Sequence, residues 1–438
     1  MGTHVKAFKG RISPFHSKKT EELETVKMPL PPKVLLPMLQ QIGPICLPII
    51  KKGEKVFVGQ VIGASRKPSS VSVQSSVSGV VTDILSLPYS IGIEVPAVEI
   101  EPDGYQNIHE SISPFYGLKK EDLINKIKEA GLAGMDTREF LMEPEYPWKI
   151  NRESDILIIN AAHDERFITS DYREILENPQ GVLKNIKTLM DLAHFKKAYI
   201  GIESSKGKAI ERLSEYMDKN DNIEIFGLRI RYPRGFEKQL AYAITRRKIP
   251  YGGLPSDVGI TILNINSLSN ITYFINAGMP QIKKRITVDG PAVKHPQNIE
   301  VFIGTQIKDV LTFCGGIKGE LGKNIMMGDV SGIEQLSLSH PVVKHTKALL
   351  AFPTRNSLYC IENKCIGCCR CVSACPRGLL PLYINDNVKN GRAEENLKYS
   401  LNDCMECDWC SYICPASRNL MQSIRDSKAV LGRKITIS

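Results

Sequence analysis

Four stretches of the chain carry four different hydrophobic rhythms. Between residues 34 and 106 apolar and polar positions alternate over short runs. PIIKKGEKVFVGQVIGAS (48–65) is broken by Gly53, Gly59 and Gly63, and SVSGVVTDI (76–84) repeats the pattern with Ser78-Gly79 expected as a tight turn. Short strands follow from that spacing. From 115 to 285 the period changes. KKEDLINKIKEAGL (119–132) sets Leu123, Ile124, Ile127 and Leu132 at helical spacing, and SDILIINAA (154–162) reads as a buried strand. GVLKNIKTLMDLAH (helix), KKAYIGIES (strand, 196–204), SKGKAIERLSEYMDK (helix) and IEIFGLRI (strand) continue the alternation. Such alternation predicts an α/β unit with a mostly parallel sheet, whose ligands bind at the carboxyl ends of the strands. Those ends are NAAHDER (160–166) and IESSKGK (202–208). From 286 to 350, ITVDGPAVKHPQNIEVFIGTQIKDVLTFCGGI reads strand, turn, strand, helix, stopped by Gly315-Gly316, with Cys314 as a small buried residue. Residues 1–33 are polar and read as irregular, with His4 and His16 as surface histidines.

A length of 438 residues suits two to four domains. The 42% hydrophobic and 24% charged content is that of a soluble globular chain. No apolar run is long enough for a membrane span, and the start shows no secretory signal. A cytoplasmic protein is expected, with room for peripheral attachment to the cytoplasmic membrane face. The formal charge of +10 suits an acidic redox partner or an anionic membrane face. The basic residues are scattered in pairs without a nucleic-acid signature, so nucleic acid is not expected as a partner. The end of the chain, SIRDSK and KAVLGRKITIS, is basic enough to meet an acidic ferredoxin or flavodoxin.

Cysteine placement changes the picture. Cys46 and Cys314 stand alone; the other ten of twelve fall between Cys360 and Cys414. Without a secretory signal, that clustering indicates metal rather than disulfides. CIGCCRCVSACP (365–376) and CMECDWCSYICP (404–415) both read C-x2-C-x2-C-x3-C-P. This is the two-cluster bacterial ferredoxin spacing, in which the fourth cysteine of each run ligates the other cluster. The expected ligand sets are Cys365, Cys368, Cys371 and Cys414 for one [4Fe–4S] cluster, and Cys404, Cys407, Cys410 and Cys375 for the second. Zinc sites use paired CxxC instead. Cys360 and Cys369 are surplus, Cys369 standing where a glycine is usual. Trp409, beside Cys410, is expected to pack in the core.

The K-K-G-E-x-V-x-x-G-Q-x-I-G phrase resembles biotinyl- and lipoyl-type barrel-sandwich domains, but SVQSSVSG (72–79) offers no lysine for a swinging arm. Taken together, FKGRISPFHSKK (8–19), QQIGPICLPIIKKGEKVFVGQVIG (40–63), RYPRGFEKQLAYAITRRKIPYGGLPSDVG (231–259), DGPAVKHPQNIEVFIGTQI (289–307), IMMGDVSG (325–332), CPRGLLPLY (375–383) and CSYICPASRNLMQSIRDSK (410–428) resemble the C subunit of Rnf-type electron transport complexes. The resemblance implies an N-terminal extension (1–33), a barrel-sandwich module (34–106), an α/β domain like the flavoprotein subunit of complex I (115–285), a β-grasp SLBB module (286–350), a two-cluster ferredoxin-type helical domain (351–428) and a tail (429–438). It also implies FMN and NADH chemistry. The family's glycine-rich loop, however, is GLAGMDTREFLMEPEYPW (131–148) here. Gly134 and Phe140 match; Asp136 and Thr137 replace the glycine pair that lets backbone approach the FMN phosphate. In NAAHDER, Asn160 and Glu165 match, while His163, Asp164 and Arg166 are changes, read as polar drift at a disused site. These departures argue against ordinary FMN and NADH binding. The expected function is a carrier that passes single electrons through two clusters to a partner reductase, as the electron-transfer protein associated with proline reductase does. The alternatives are an NADH-oxidising FMN subunit of a membrane Rnf complex, and a scaffold with structural clusters.

Overall fold

In the computed structural model, which describes residues 19–40, 45–65, 71–88, 93–132, 154–162, 167–218, 221–229, 236–250, 253–319, 321–327, 333–335, 337–353 and 362–435, three β-rich units precede a helical one. The first holds two antiparallel sheets. One has the order Val34–Pro37, Glu94–Pro102, Gly79–Pro88, Lys55–Val56; the other joins Leu47–Pro48, Val61–Ala64 and Val73–Gln74. Their inward side chains, among them Leu36, Ile62, Val98 and Ile100, are fully buried. Ser78-Gly79 is not the tight turn its composition suggests. Gly79 opens a long strand paired with Pro102, and the chain bends earlier, at Ser76-Val77. Glycine is required because a Cβ there would lie 2.1 Å from the Glu101 carbonyl oxygen.

The second unit is a four-stranded sheet, Ile223–Leu228, Lys197–Glu203, Ile156–Ala161, Ile260–Asn264, with every pairing parallel. Its continuous apolar strands are covered on both faces, as parallel sheets require. Leu157 and Ile159 pack with Pro179–Ala193 and Ile265–Ala277 on one side, and Ile158 and Ile262 pack with Glu237–Thr245 on the other. Leu123, Ile127 and Leu132 are buried, as the helical spacing predicts. The third unit is a six-stranded mixed sheet, ordered Val26–Lys27, Gln297–Phe302, Lys283–Asp289, Ala348–Pro353, Leu321–Met327, Ile333–Gln335. Helix Ile307–Phe313 packs on it and stops where Gly315 and Gly316 take φ of +79° and +82°. Cys314 is fully buried, which pushes its thiol up.

Two segments differ from their sequence reading. The N-terminal segment is not irregular throughout: Val26–Lys27 is an edge strand running parallel to Gln297–Phe302. The segment from 429 is not a separate tail: helix Leu420–Ile435 runs through it.

The three β-rich units meet at Lys344. Its fully buried ammonium donates 2.8 Å hydrogen bonds to Gln74 Oε1 and to the Gly131 carbonyl. Burial lowers its pKa to about 7. Gly131, at φ +65°, has no room for a Cβ, which would fall 2.4 Å from Lys344 Nζ.

Candidate metal centre

The C-terminal unit is built from two halves related by a constant offset in sequence, so that Cys365, Cys368, Cys371 and Cys375 correspond to Cys404, Cys407, Cys410 and Cys414. In each half the chain runs irregularly past two cysteines, enters a short helix (Arg370–Ala374; Trp409–Tyr412) and leaves it near the fourth. It then breaks at Pro376 or Pro415 and forms a longer helix (Pro381–Lys389; Leu420–Ile435). The backbone repeats in detail. Positive φ falls at Gly367 and Glu406, at Cys369 and Asp408, and at Gly378 and Ser417. Cys369 thus takes the left-handed conformation that makes glycine usual there.

The halves interleave. Cys371 lies within electrostatic reach of Cys414 and Cys365. Cys404 lies near Cys375; Cys407 and Cys410 both lie near Cys404 and Cys375. A cavity of about 180 Å³ opens between Cys365, Cys368, Cys371 and Cys414, with the surplus Cys369 at its edge. Among the described residues no three His, Cys, Asp or Glu side chains converge as a single-ion site.

The two thiol groups differ in environment. Cys365 and Cys368 are exposed and Cys371 is buried, whereas Cys404, Cys407 and Cys410 are all buried, Cys404 and Cys410 among Leu401, Leu420, Met421 and Ile424. Burial pushes the Cys404 thiol up to about 11 and the Cys407 thiol to about 12, and moves Cys410 further the same way. Deprotonating them in place needs a strong local positive charge, which bound iron supplies. Backbone N–H groups already point at sulfur: Leu379 donates to Cys375 Sγ at 3.3 Å and Gly367 to Cys365 Sγ at 3.5 Å. Trp409 is buried and stacks on Tyr412, ring centroids 4.9 Å apart. The buried group abuts the α/β unit, where Gln239 of helix Glu237–Thr245 reaches the Met405 sulfur at 3.9 Å. Cys360 lies outside the described residues.

The expected nucleotide site is less complete. Asn160 sits at the carboxyl end of Ile156–Ala161, and its Oδ1 accepts from the Ala162 N–H at 3.2 Å. Gly134, Phe140, His163, Asp164, Glu165 and Arg166, together with Asp136 and Thr137, lie outside the described residues. At the second expected strand end, 202–208, the N-terminal segment covers Lys206, while Ser204, Ser205, Gly207 and Lys208 stay exposed. Glu21 holds the buried Lys206 at 2.5 Å, Lys206 lies 4.6 Å over the Tyr172 ring, and Glu22 pairs with Lys208 at 2.7 Å. Contacts between segments so far apart along the chain leave no local sequence signal.

A ferredoxin-type centre joined to an α/β unit and two β modules defines a class: a modular iron–sulfur protein of electron transport. Family models agree segment by segment. The RnfC barrel sandwich hybrid domain matches residues 6–105, the Nuo51 FMN-binding domain 127–273, the SLBB domain 285–325 and the 4Fe-4S dicluster domain 364–417. Over 430 residues the chain is 35% identical to the C subunit of the proton-translocating ferredoxin:NAD(+) oxidoreductase complex of Clostridium ljungdahlii, covering 97% of this chain and 94% of that one. It is 35% identical to the C subunit of the Na(+)-translocating ferredoxin:NAD(+) oxidoreductase complex of Acetobacterium woodii over 96% of both chains. To the C subunit of the ion-translocating oxidoreductase complex of Rhodobacter capsulatus it is 30% identical, covering 98% of this chain and 84% of that one. The chain belongs to the family of C subunits of Rnf-type ion-translocating oxidoreductase complexes. Among the described residues no helix is long and apolar enough to cross a membrane.

Proposed function

We propose that this protein passes single electrons through two [4Fe–4S] clusters to a partner reductase, with crossed ligation by Cys365, Cys368, Cys371 and Cys414 and by Cys404, Cys407, Cys410 and Cys375. The observation that carries this reading is the interleaving of the two cysteine runs, in which the fourth thiol of each lies with the first three of the other. When bound, such clusters supply one-electron exchange. The chain's own residues do the rest. The exposed Cys365 and Cys368 bring one thiol group to the surface, where a partner protein docks. The buried Cys404, Cys407 and Cys410 keep water from the other and set it against the α/β unit. In sequence, Asp136 and Thr137 replace the family's glycine pair, so the loop lacks the residues that let backbone approach an FMN phosphate and gains an acidic one. On this reading the electrons arrive from a donor other than NADH, and the acceptor is a soluble reductase such as an amino-acid reductase.

A second reading is an NADH-oxidising FMN subunit within a membrane complex. The near full-length likeness to complex subunits favours it. One anaerobic preparation separates the two: iron, sulfide and flavin are assayed together, then NADH is titrated while the visible spectrum is followed. About eight irons per chain, no flavin and no bleaching support the carrier. One FMN and prompt bleaching establish the dehydrogenase subunit, and absence of iron and sulfide sinks both.

A further inference from the structure

The two halves of the C-terminal unit share ligand spacing, helix order and three left-handed backbone positions, so a difference between their thiol groups must come from side chains that the repeat does not share. One such set stands out. Glu406, between Cys404 and Cys407, receives Arg425 Nε at 3.1 Å and Lys428 Nζ at 2.9 Å; Lys428 also donates to the Cys404 carbonyl at 2.8 Å. The corresponding positions of the first half hold Gly367, Asp386 and Lys389. Gly367 has no side chain, and Lys389 pairs instead with Glu362 at the surface. The first half therefore lacks the trio.

Glu406 is also held against its backbone preference. It sits at φ +53°, where its counterpart is a glycine. A non-glycine residue in the left-handed region is strained and persists where surrounding contacts enforce it. Only 7% of its side chain is exposed, against 20% for Lys428 and 31% for Arg425. Solvent screens these charges far less than it screens surface pairs.

We infer that the Glu406–Arg425–Lys428 trio sets the reduction potential of the cluster held by Cys404, Cys407, Cys410 and Cys375. This rests on the two-cluster reading above. An electron added there raises the local negative charge; the two cations favour it and the carboxylate opposes it. Asp408, which also faces Arg425, contributes a further acidic group to the same environment. These are positioning residues: none is a ligand, and their action is through charge.

The sign of the charge gives the test. Clusters in the wild type, Lys428→Gln, Glu406→Gln and Lys428→Arg proteins are titrated by EPR-monitored redox potentiometry, with each signal assigned from Cys375→Ala and Cys371→Ala. A unit charge removed within about 10 Å, at an effective dielectric of about 20, changes an equilibrium constant roughly tenfold, or about 59 mV for one electron. Lys428→Gln should lower the potential of the buried cluster by about that amount and Glu406→Gln should raise it. Lys428→Arg should leave it in place, and each charge-removing variant should move the other cluster by a smaller amount. A purely structural role would shift both charge-removing variants the same way or not at all, and either result overturns the inference. If Lys428→Gln cannot hold its cluster, Arg425→Gln makes the same charge change further from Cys404; loss of the cluster in both assigns the trio to folding alone and also overturns it. Absence of iron from the wild type would instead defeat the two-cluster reading.

Discussion

Replacing Cys375 by alanine tests the crossed arrangement at its least local point. In sequence Cys375 belongs with Cys365, Cys368 and Cys371; in space it lies with Cys404, Cys407 and Cys410. The side-chain change removes one sulfur from a half-buried site, a packing loss of about 1 kcal/mol. It also removes the acceptor of the Leu379 N–H. Loss of a metal ligand acts on a larger scale, since structural metal sites contribute about 10 kcal/mol or more. The outcome is therefore dominated by the cluster, not by packing. Iron should fall from about eight to about four per chain, or to about seven if a three-iron form survives. The three remaining buried thiols would stay protonated and lose their anchor. The assay is iron and sulfide content with EPR of the oxidised and dithionite-reduced protein, on Cys375→Ala, Cys371→Ala and two double variants. Groups that act as one unit are non-additive. Cys375→Ala combined with Cys404→Ala should lose no more than either alone, whereas Cys375→Ala combined with Cys371→Ala should lose both clusters. If Cys375→Ala and Cys371→Ala abolish the same signal, the crossed grouping is wrong.

Iron held by the exposed Cys365 and Cys368 should be stripped first by an anaerobic chelator, in a clear two-phase time course; a single phase would contradict the asymmetry in burial. Gly79→Ala should destabilise the barrel-sandwich unit by about 1–3 kcal/mol, read by chemical denaturation, because its Cβ would meet the Glu101 carbonyl at 2.1 Å. The Lys344 pKa is depressed by burial to about 7 from 10.5, so the unfolded chain binds more protons between those values. Its contribution to stability should rise as pH climbs from about 7 toward 10, and the rise should vanish in Lys344→Met; an unchanged pH profile in that variant would remove Lys344 as the cause.

Local chemistry wrote much of this protein into its sequence. Two runs of four cysteines at x2, x2, x3 spacing specify short helices, and the trailing prolines end them. The apolar run Ile156–Ile159 reads as a strand covered on both faces, because its side chains alternate between two apolar layers. Short-range periodicity missed other elements. Helix Glu237–Thr245 lies within a stretch that carries the family resemblance, and Ile260–Asn264 runs straight into Ile265–Ala277, with only the N-cap Asn264, whose Oδ1 accepts from the Ser267 N–H, to mark the change. The rest was decided by tertiary structure, since it joins residues that no window spans. Val26–Lys27 pairs with Gln297–Phe302 far along the chain, Glu21 pairs with Lys206 at a strand end expected to take a ligand, and Lys344 ties three units together. The difference between two thiol groups of equal spacing arises nearer by, from Leu401, Leu420, Met421 and Ile424 and from Glu406 with Arg425 and Lys428 of the following helix. Spacing fixes which atoms can bind; burial and neighbouring charge, set by how the following helix packs back on the cysteines, fix how they behave.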